Sequence, residues 1–175
     1  MSSETLTTRF NLQFVANLTN TLALETVSAN PSISVVNNFS SGTDVNQANQ
    51  IFADQRQLAT LTSESINLMT FNGSLDPVGI AYQSLRVKAL IVQNLNGTDS
   101  NIITVGMAGS GAWRAFFNGA ASSSIYIPGG GALIAVAPGS IGWNLGGASG
   151  SNLGIFNASA TAVATYNVCV LGSTG

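Results

Sequence analysis

Apolar and polar residues alternate with a period of two along most of this chain, the pattern of a strand with one buried face. The clearest stretch is SLRVKALIVQN at 84–94, where Leu85, Val87, Ala89 and Ile91 form one row and Arg86 and Lys88 open the other, wet one. Beyond Lys88 the second row turns apolar as well, at Leu90 and Val92, which predicts a strand whose later half is covered on both faces. The same reading predicts strands at 10–17, 21–28, 32–36, 56–61, 65–69 and 101–107, then at 113–117, 123–128, 132–137, 153–157 and 164–171.

Between these runs lie NNFSSGTD, FNGSLDP, LNGTDSN, PGGGA, APGS and LGGASGSN, clusters whose Gly, Asn, Asp and Pro supply the positive or fixed φ that turns need. Strands thus recur about every ten residues with almost no helical period, which predicts an all-β fold, an antiparallel β-sandwich or jelly roll. DVNQANQIFADQ at 44–55 is the exception, because Val45, Ala48, Ile51 and Phe52 fall at helical spacing and predict a helical turn. The polar stretch 38–50 reads as a linker, so residues 1–40 are expected to form an N-terminal strand-forming arm and residues 41–175 the sandwich body. Such an arm needs a sheet to pair with, either its own body's or a neighbour's.

Charge changes the picture. Only 7% of residues are charged, against about 25% in ordinary soluble domains, and none of residues 115–175 is Asp, Glu, Lys or Arg. Charged surfaces keep monomers apart and blunt strand edges, so an uncharged half is expected to be covered by other copies or partners. Five scattered basic residues and a net charge of −2 give no cluster to neutralise phosphates, so nucleic acid is excluded as a partner. No apolar run reaches the length of a membrane span; ALIAVA at 132–137 is strand-sized. The opening MSSETLTTRF lacks a basic and then apolar leader and predicts no secretory signal, so the sequons at Asn17, Asn38, Asn72, Asn96 and Asn157 are expected to be unglycosylated.

Little in the chain can do chemistry. The absence of histidine removes imidazole bases and ligands, and the single Cys169 forms no internal disulfide, so no catalytic residue, cofactor or metal is expected. The seven carboxylates, Glu4, Glu25, Asp44, Asp54, Glu64, Asp76 and Asp99, sit singly and show no glycosidase pair. Asp54 and Arg56 suggest a charged clamp between arm and body or a solvated strand end. GMAGSG and PGGGA lack the Lys-Ser/Thr ending of a phosphate loop. Cys169 lies in an alternating run and reads as a small buried hydrophobe. Trp113, Phe116, Phe117, Tyr126 and Trp143 are core candidates that could instead form a sugar-stacking platform, with Trp143, on a turn, the most exposed.

NQANQIFADQRQLATLTSESINL (46–68), SLRVKALIVQNLNGTDSNIITVG (84–106), IPGGGALIAVAP (127–138) and ATYNVCVLGS (164–173) resemble small β-sandwich virion proteins encoded among the structural genes of tailed bacteriophages. Ala53-Asp54-x-Arg56-x-Leu58-Ala59 and Pro128-Gly129-Gly130 carry the likeness, which covers 46–175 and leaves the arm matching in style alone. It implies a non-enzymatic structural role, most simply a jelly-roll capsid decoration or cement protein that binds and stabilises the head shell. Its location would be the virion, after synthesis in the host bacterial cytoplasm, and its partners the major capsid protein or other virion proteins and its own copies, as a homo-oligomer and by closure of edges a trimer. A neck, tail or fibre protein and a carbohydrate-binding β-sandwich module are the alternatives.

Overall fold

The structure, a computed structural model, describes residues 5–21, 26–70, 85–97, 101–106, 111–117, 123–146 and 150–175. Among them every regular element is a strand. Four lie in the N-terminal region: β1 (Thr8–Val15), β2 (Leu18–Thr21), β3 (Thr26–Ala29) and β4 (Ser32–Ser41). The rest are β5 (Gln47–Ala48), β6 (Gln50–Leu58), β7 (Ser63–Asn67), β8 (Arg86–Asn94), β9 (Ile103–Gly106), β10 (Ser124–Ile127), β11 (Ala132–Val136), β12 (Trp143–Asn144), β13 (Asn152–Asn157) and β14 (Ala164–Ser173). The chain is all-β, as its alternation predicts.

Two antiparallel sheets form the body, one ordered β11-β8-β14-β6 with β12 also on β8, the other β10-β9-β13-β7. The pairs nest: β9 with β10, β8 with β11, β7 with β13 and β6 with β14, so the body is one long ribbon folded over on itself. One apolar cluster joins the sheets, built from Leu90 and Val92 of β8, Ile103 and Val105 of β9, Leu153 and Ile155 of β13, and Tyr166, Val168 and Val170 of β14. Each fully buried Leu, Ile or Val contributes about 1.5–3 kcal/mol. β13 and β14 are flanked by strands on both sides. Two strands of the charge-free half of the chain therefore lie inside a sheet, where a charge would be costly to bury, while β10 and β11 of the same half are sheet edges.

A β-bulge shapes β8. Leu171 of β14 pairs with Ala89, but the next residue, Gly172, pairs with Val87, so Lys88 is an extra residue and the side-chain alternation switches there. Val87, Leu90 and Val92 face the core, whereas Ala89 packs in a second cluster on the outer face with Phe39, Ala48 and Leu171. The expected rows are corrected accordingly: Leu85 is exposed and Lys88 is fully buried.

Other expectations differ too. The 44–55 segment is a turn followed by β5 and β6, because Phe52, Asp54, Arg56 and Leu58 point inward as a strand would have them. WRAFF at 113–117 is a turn closed by Phe117 N donating to Arg114 O at 3.0 Å, and Trp113 N donates to Asn152 O at 2.8 Å. The 21–28 run is split between β2 and β3, with 22–25 outside the described residues. FNGSLDP, and residues 98–100, 107–110 and 147–149 of the other Gly-rich segments, also lie outside them.

Candidate functional site

The N-terminal strands form a single hairpin. β1 pairs with β4 from Thr8–Phe39 to Val15–Ser32, and β2 pairs with β3 from Leu18–Ala29 to Thr21–Thr26 in the same register; Ala16 N donates to Pro31 O at 3.1 Å between the two ladders. Residues directly opposite share a face, so Phe10, Leu12 and Phe14 line up with Asn37, Val35 and Ile33. This ribbon is amphipathic. At its base Phe39 is buried, and Phe10 and Phe39 cover a cavity of about 80 Å³ over Ile51, Ala89, Ile91, Cys169 and Leu171 on the outside of the β11-β8-β14-β6 sheet. Farther out the apolar face lies open: Phe14 is 56% and Ile33 63% exposed, and Leu12 and Val35 are exposed as well. Among the described residues, the arm's strand pairing with the body is two residues of parallel ladder, Ser40–Gln47 and Ser41–Ala48.

The body sheet under the arm has an apolar outer face. Ala53, Cys169, Ile91 and Ile134 make one cross-strand row, and Ile51, Leu171, Ala89 and Val136 the next. A row of amides borders them, with Gln55 Nε2 donating to Asn167 Oδ1 and Asn167 Nδ2 to Gln93 Oε1, each at 3.2 Å. Cys169 is half-buried here, and burial pushes its thiol pKa up, so it is a packed hydrophobe rather than a nucleophile.

Lys88 fixes where arm and body meet. Its Nζ donates to Ser140 O at 2.9 Å, to Asp44 O at 3.4 Å and, closer still, to Gly139 O. Asp44 lies in the turn that leaves β4; Gly139 and Ser140 lie between β11 and β12. Asn46 N adds a bond to Pro138 O at 2.8 Å. Gly142, at φ +55°, lets its loop approach the bulge, for a Cβ there would sit 2.6 Å from Val87 O. Burial holds the ammonium below the ordinary lysine pKa, the Arg86 charge adds to this, and the Asp44 carboxylate opposes it.

Asp54 and Arg56 do not join the arm to the body. They face the interior at the open edge between β6 and β7, where Arg56 Nε meets Asp54 Oδ2 at 3.1 Å and Arg56 Nη1 meets Glu64 Oε2 at 2.8 Å. The buried Tyr166 hydroxyl donates to Glu64 Oε1, and the guanidinium stands 5.9 Å from the Phe52 ring centroid. The clamp joins the two sheets. With a guanidinium bridging them, the carboxylates of Asp54 and Glu64 have no cleft between them for a scissile bond. Among the described residues no three His, Cys, Asp or Glu side chains cluster as a metal site would require; Glu4, Glu25, Asp76 and Asp99 lie outside them.

The five aromatic candidates separate into two groups. Trp113 is buried and donates Nε1–H to Asn144 O at 3.0 Å; Phe116 stacks on it at 5.9 Å, and Trp143 meets both rings edge-on at 6.3 and 5.2 Å. Phe117 meets Phe116 edge-on at 5.0 Å. Trp143 is thus half-buried against this cluster rather than free on a turn. Tyr126 stands apart, 68% exposed on the edge strand β10. The register sets Ser63, Phe156, Thr104 and Tyr126 in one row across all four strands of its sheet, and together with Ala158 they line an open hollow of about 380 Å³. Alternation along β13 and β9 is the signal that puts Phe156 and Thr104 on that outer face, but their juxtaposition needs the pairing register.

No protein-family model, no curated protein and no solved structure matches this chain.

Proposed function

We propose that this chain is a structural component of a tailed-bacteriophage particle, a capsid decoration or cement protein that binds and stabilises the head shell. The observation that carries the reading is the arm, whose long hairpin keeps Leu12, Phe14, Ile33 and Val35 out of its own core. A two-stranded ribbon is marginal in water unless its apolar face is covered, and exposed faces of this kind mark sites of association. We infer that the nested strand order of the body is that of a jelly roll. Its apolar outer sheet face beside the arm offers a seat for a neighbouring subunit, and the proposed assembly is a homotrimer contacting the major capsid protein or another virion protein. The reading assigns the protein to the virion, with the host bacterial cytoplasm as its place of synthesis, and gives it no catalysis. The same arm would serve at a neck, tail or fibre.

Light scattering of the purified chain and its co-sedimentation with tailed-phage heads test this. A stable oligomer that pellets with heads is the expected result. A monomer that stays in the supernatant overturns it.

A further inference from the structure

On the sheet face opposite to the arm's seat, the Ser63–Phe156–Thr104–Tyr126 row has the makeup of a ligand site. Tyr126 is exposed at the sheet's edge, Phe156 is half-buried one strand in from the other edge, and Thr104 is buried between them. Neighbouring strands lie about 4.8 Å apart, so the two aromatic residues stand roughly 10 Å apart across the threonine. That gap admits one saturated six-membered ring.

The chemistry of the lining selects the ligand. Among the described residues, none of the side chains that line the hollow is charged, so a phosphate or carboxylate would find no counter-charge from them. A purely apolar ligand would desolvate the hydroxyls of Ser63 and Tyr126 without replacing their water. A neutral sugar satisfies both halves, its C–H face lying on an aromatic ring and its hydroxyls meeting that of Tyr126, while Ser63, one strand beyond Phe156, lies where the next unit of an oligosaccharide would reach. We propose that this row binds a neutral saccharide, with Tyr126 and Phe156 as its stacking surfaces. The site is separate from the arm and does not depend on the assembly proposed above.

The test is calorimetric titration of the full chain with neutral oligosaccharides of glucose, galactose, mannose and N-acetylglucosamine. Saturable binding to at least one of them is expected, with Tyr126→Ala and Phe156→Ala each weakening it about tenfold, the equivalent of 1.4 kcal/mol. Tyr126→Phe keeps the ring and should retain most of the affinity, while Ile134→Ser, on the other sheet, should leave it unchanged. Because Tyr126 lies at the surface, circular dichroism of Tyr126→Ala should match that of the parent. Absence of binding to every sugar in the panel overturns the proposal, as does binding that survives Tyr126→Ala. Dissociation of an oligomer by Tyr126→Ala, read by light scattering, also overturns it, because the row would then be a protein contact.

Discussion

Lys88 holds a cation against three backbone carbonyls, those of Asp44, Gly139 and Ser140; Asp44 O also accepts from Gln47 N and Ser140 O from Arg86 Nη1, so Gly139 O is the one that leans most on the lysine. Replacing it by Met keeps the side chain's bulk but takes the ammonium's donors from all three, so Lys88→Met should lower stability by about 1–3 kcal/mol in chemical denaturation. The pH dependence has a definite sign. With the folded-state pKa held below the ordinary 10.5, the unfolded chain binds more protons than the folded one between the two values. The lysine's contribution therefore rises with pH across that window. The stability of the parent relative to Lys88→Met should grow as alkaline pH approaches 10.5; a difference that shrinks there would refute the assignment. None of this was legible from alternation. A bulge adds one residue and reverses every side chain beyond it, so Leu85, Val87, Ala89 and Ile91 look like one row although the folded strand splits them. Asn157, by contrast, reads as a sequon but is fully buried, its Nδ2 donating to Leu58 O, Ala59 O and Ala162 O at 2.9–3.1 Å, which leaves no room for a glycan.

Among the elements, β6 and β14 show how a strand's two faces diverge in role. The inward face of β6 carries Asp54 and Arg56 to the sandwich edge, where the guanidinium ties it to Glu64 of β7. Exposed pairs contribute at most about 1 kcal/mol and broken buried pairs cost about 3–5 kcal/mol. This network is partly buried, with side-chain exposures of 27%, 15% and 24% for Arg56, Asp54 and Glu64, so Arg56→Met should fall between, at about 1–2 kcal/mol. A loss that disappears in high salt would instead mark the pair as solvated. β14 faces the core at Ala164, which is fully buried, while on β11 Ile134 points out from the same sheet. Ala164→Lys should leave the chain unfolded by circular dichroism, because it buries an unpaired charge. Ile134→Lys should leave it folded and, on the proposed reading, weaken association. The strands at 123–128, 132–137, 153–157 and 164–171 were legible because none of them has a bulge within its predicted span and each keeps its alternation. WRAFF carries the residue types of a strand, but its aromatic rings pack on one another and on Trp143 as a turn, and composition does not distinguish a strand from such a cap.

At the scale of the whole molecule the question is what the arm does for the body. The nine strands that make the four-stranded and the five-stranded sheet all come from residues 50–173, so removal of the arm takes no strand from either. The alternative in which the arm completes its own body's sheet is thereby corrected: its ladder is internal to residues 8–39, apart from the short pairing with β5. Deleting residues 1–41 should give a folded sandwich with a lowered melting temperature, since Ala48, Ala89 and Leu171 lose the cover of Phe39. The lost contact also removes the apolar ribbon that the assembly reading relies on, and main-chain and side-chain pairing along such a ribbon would supply much of the affinity for a neighbour. The truncated protein should therefore run as a monomer and remain in the supernatant when heads are pelleted. Phe14→Asp in the full chain should have the same effect with the melting temperature little changed, because that residue is 56% exposed and belongs to neither core cluster of the described residues. If the truncated chain still oligomerises and pellets at full strength, the association surface lies on the body, and the outer face around Ile91 and Ile134 is where it should be sought.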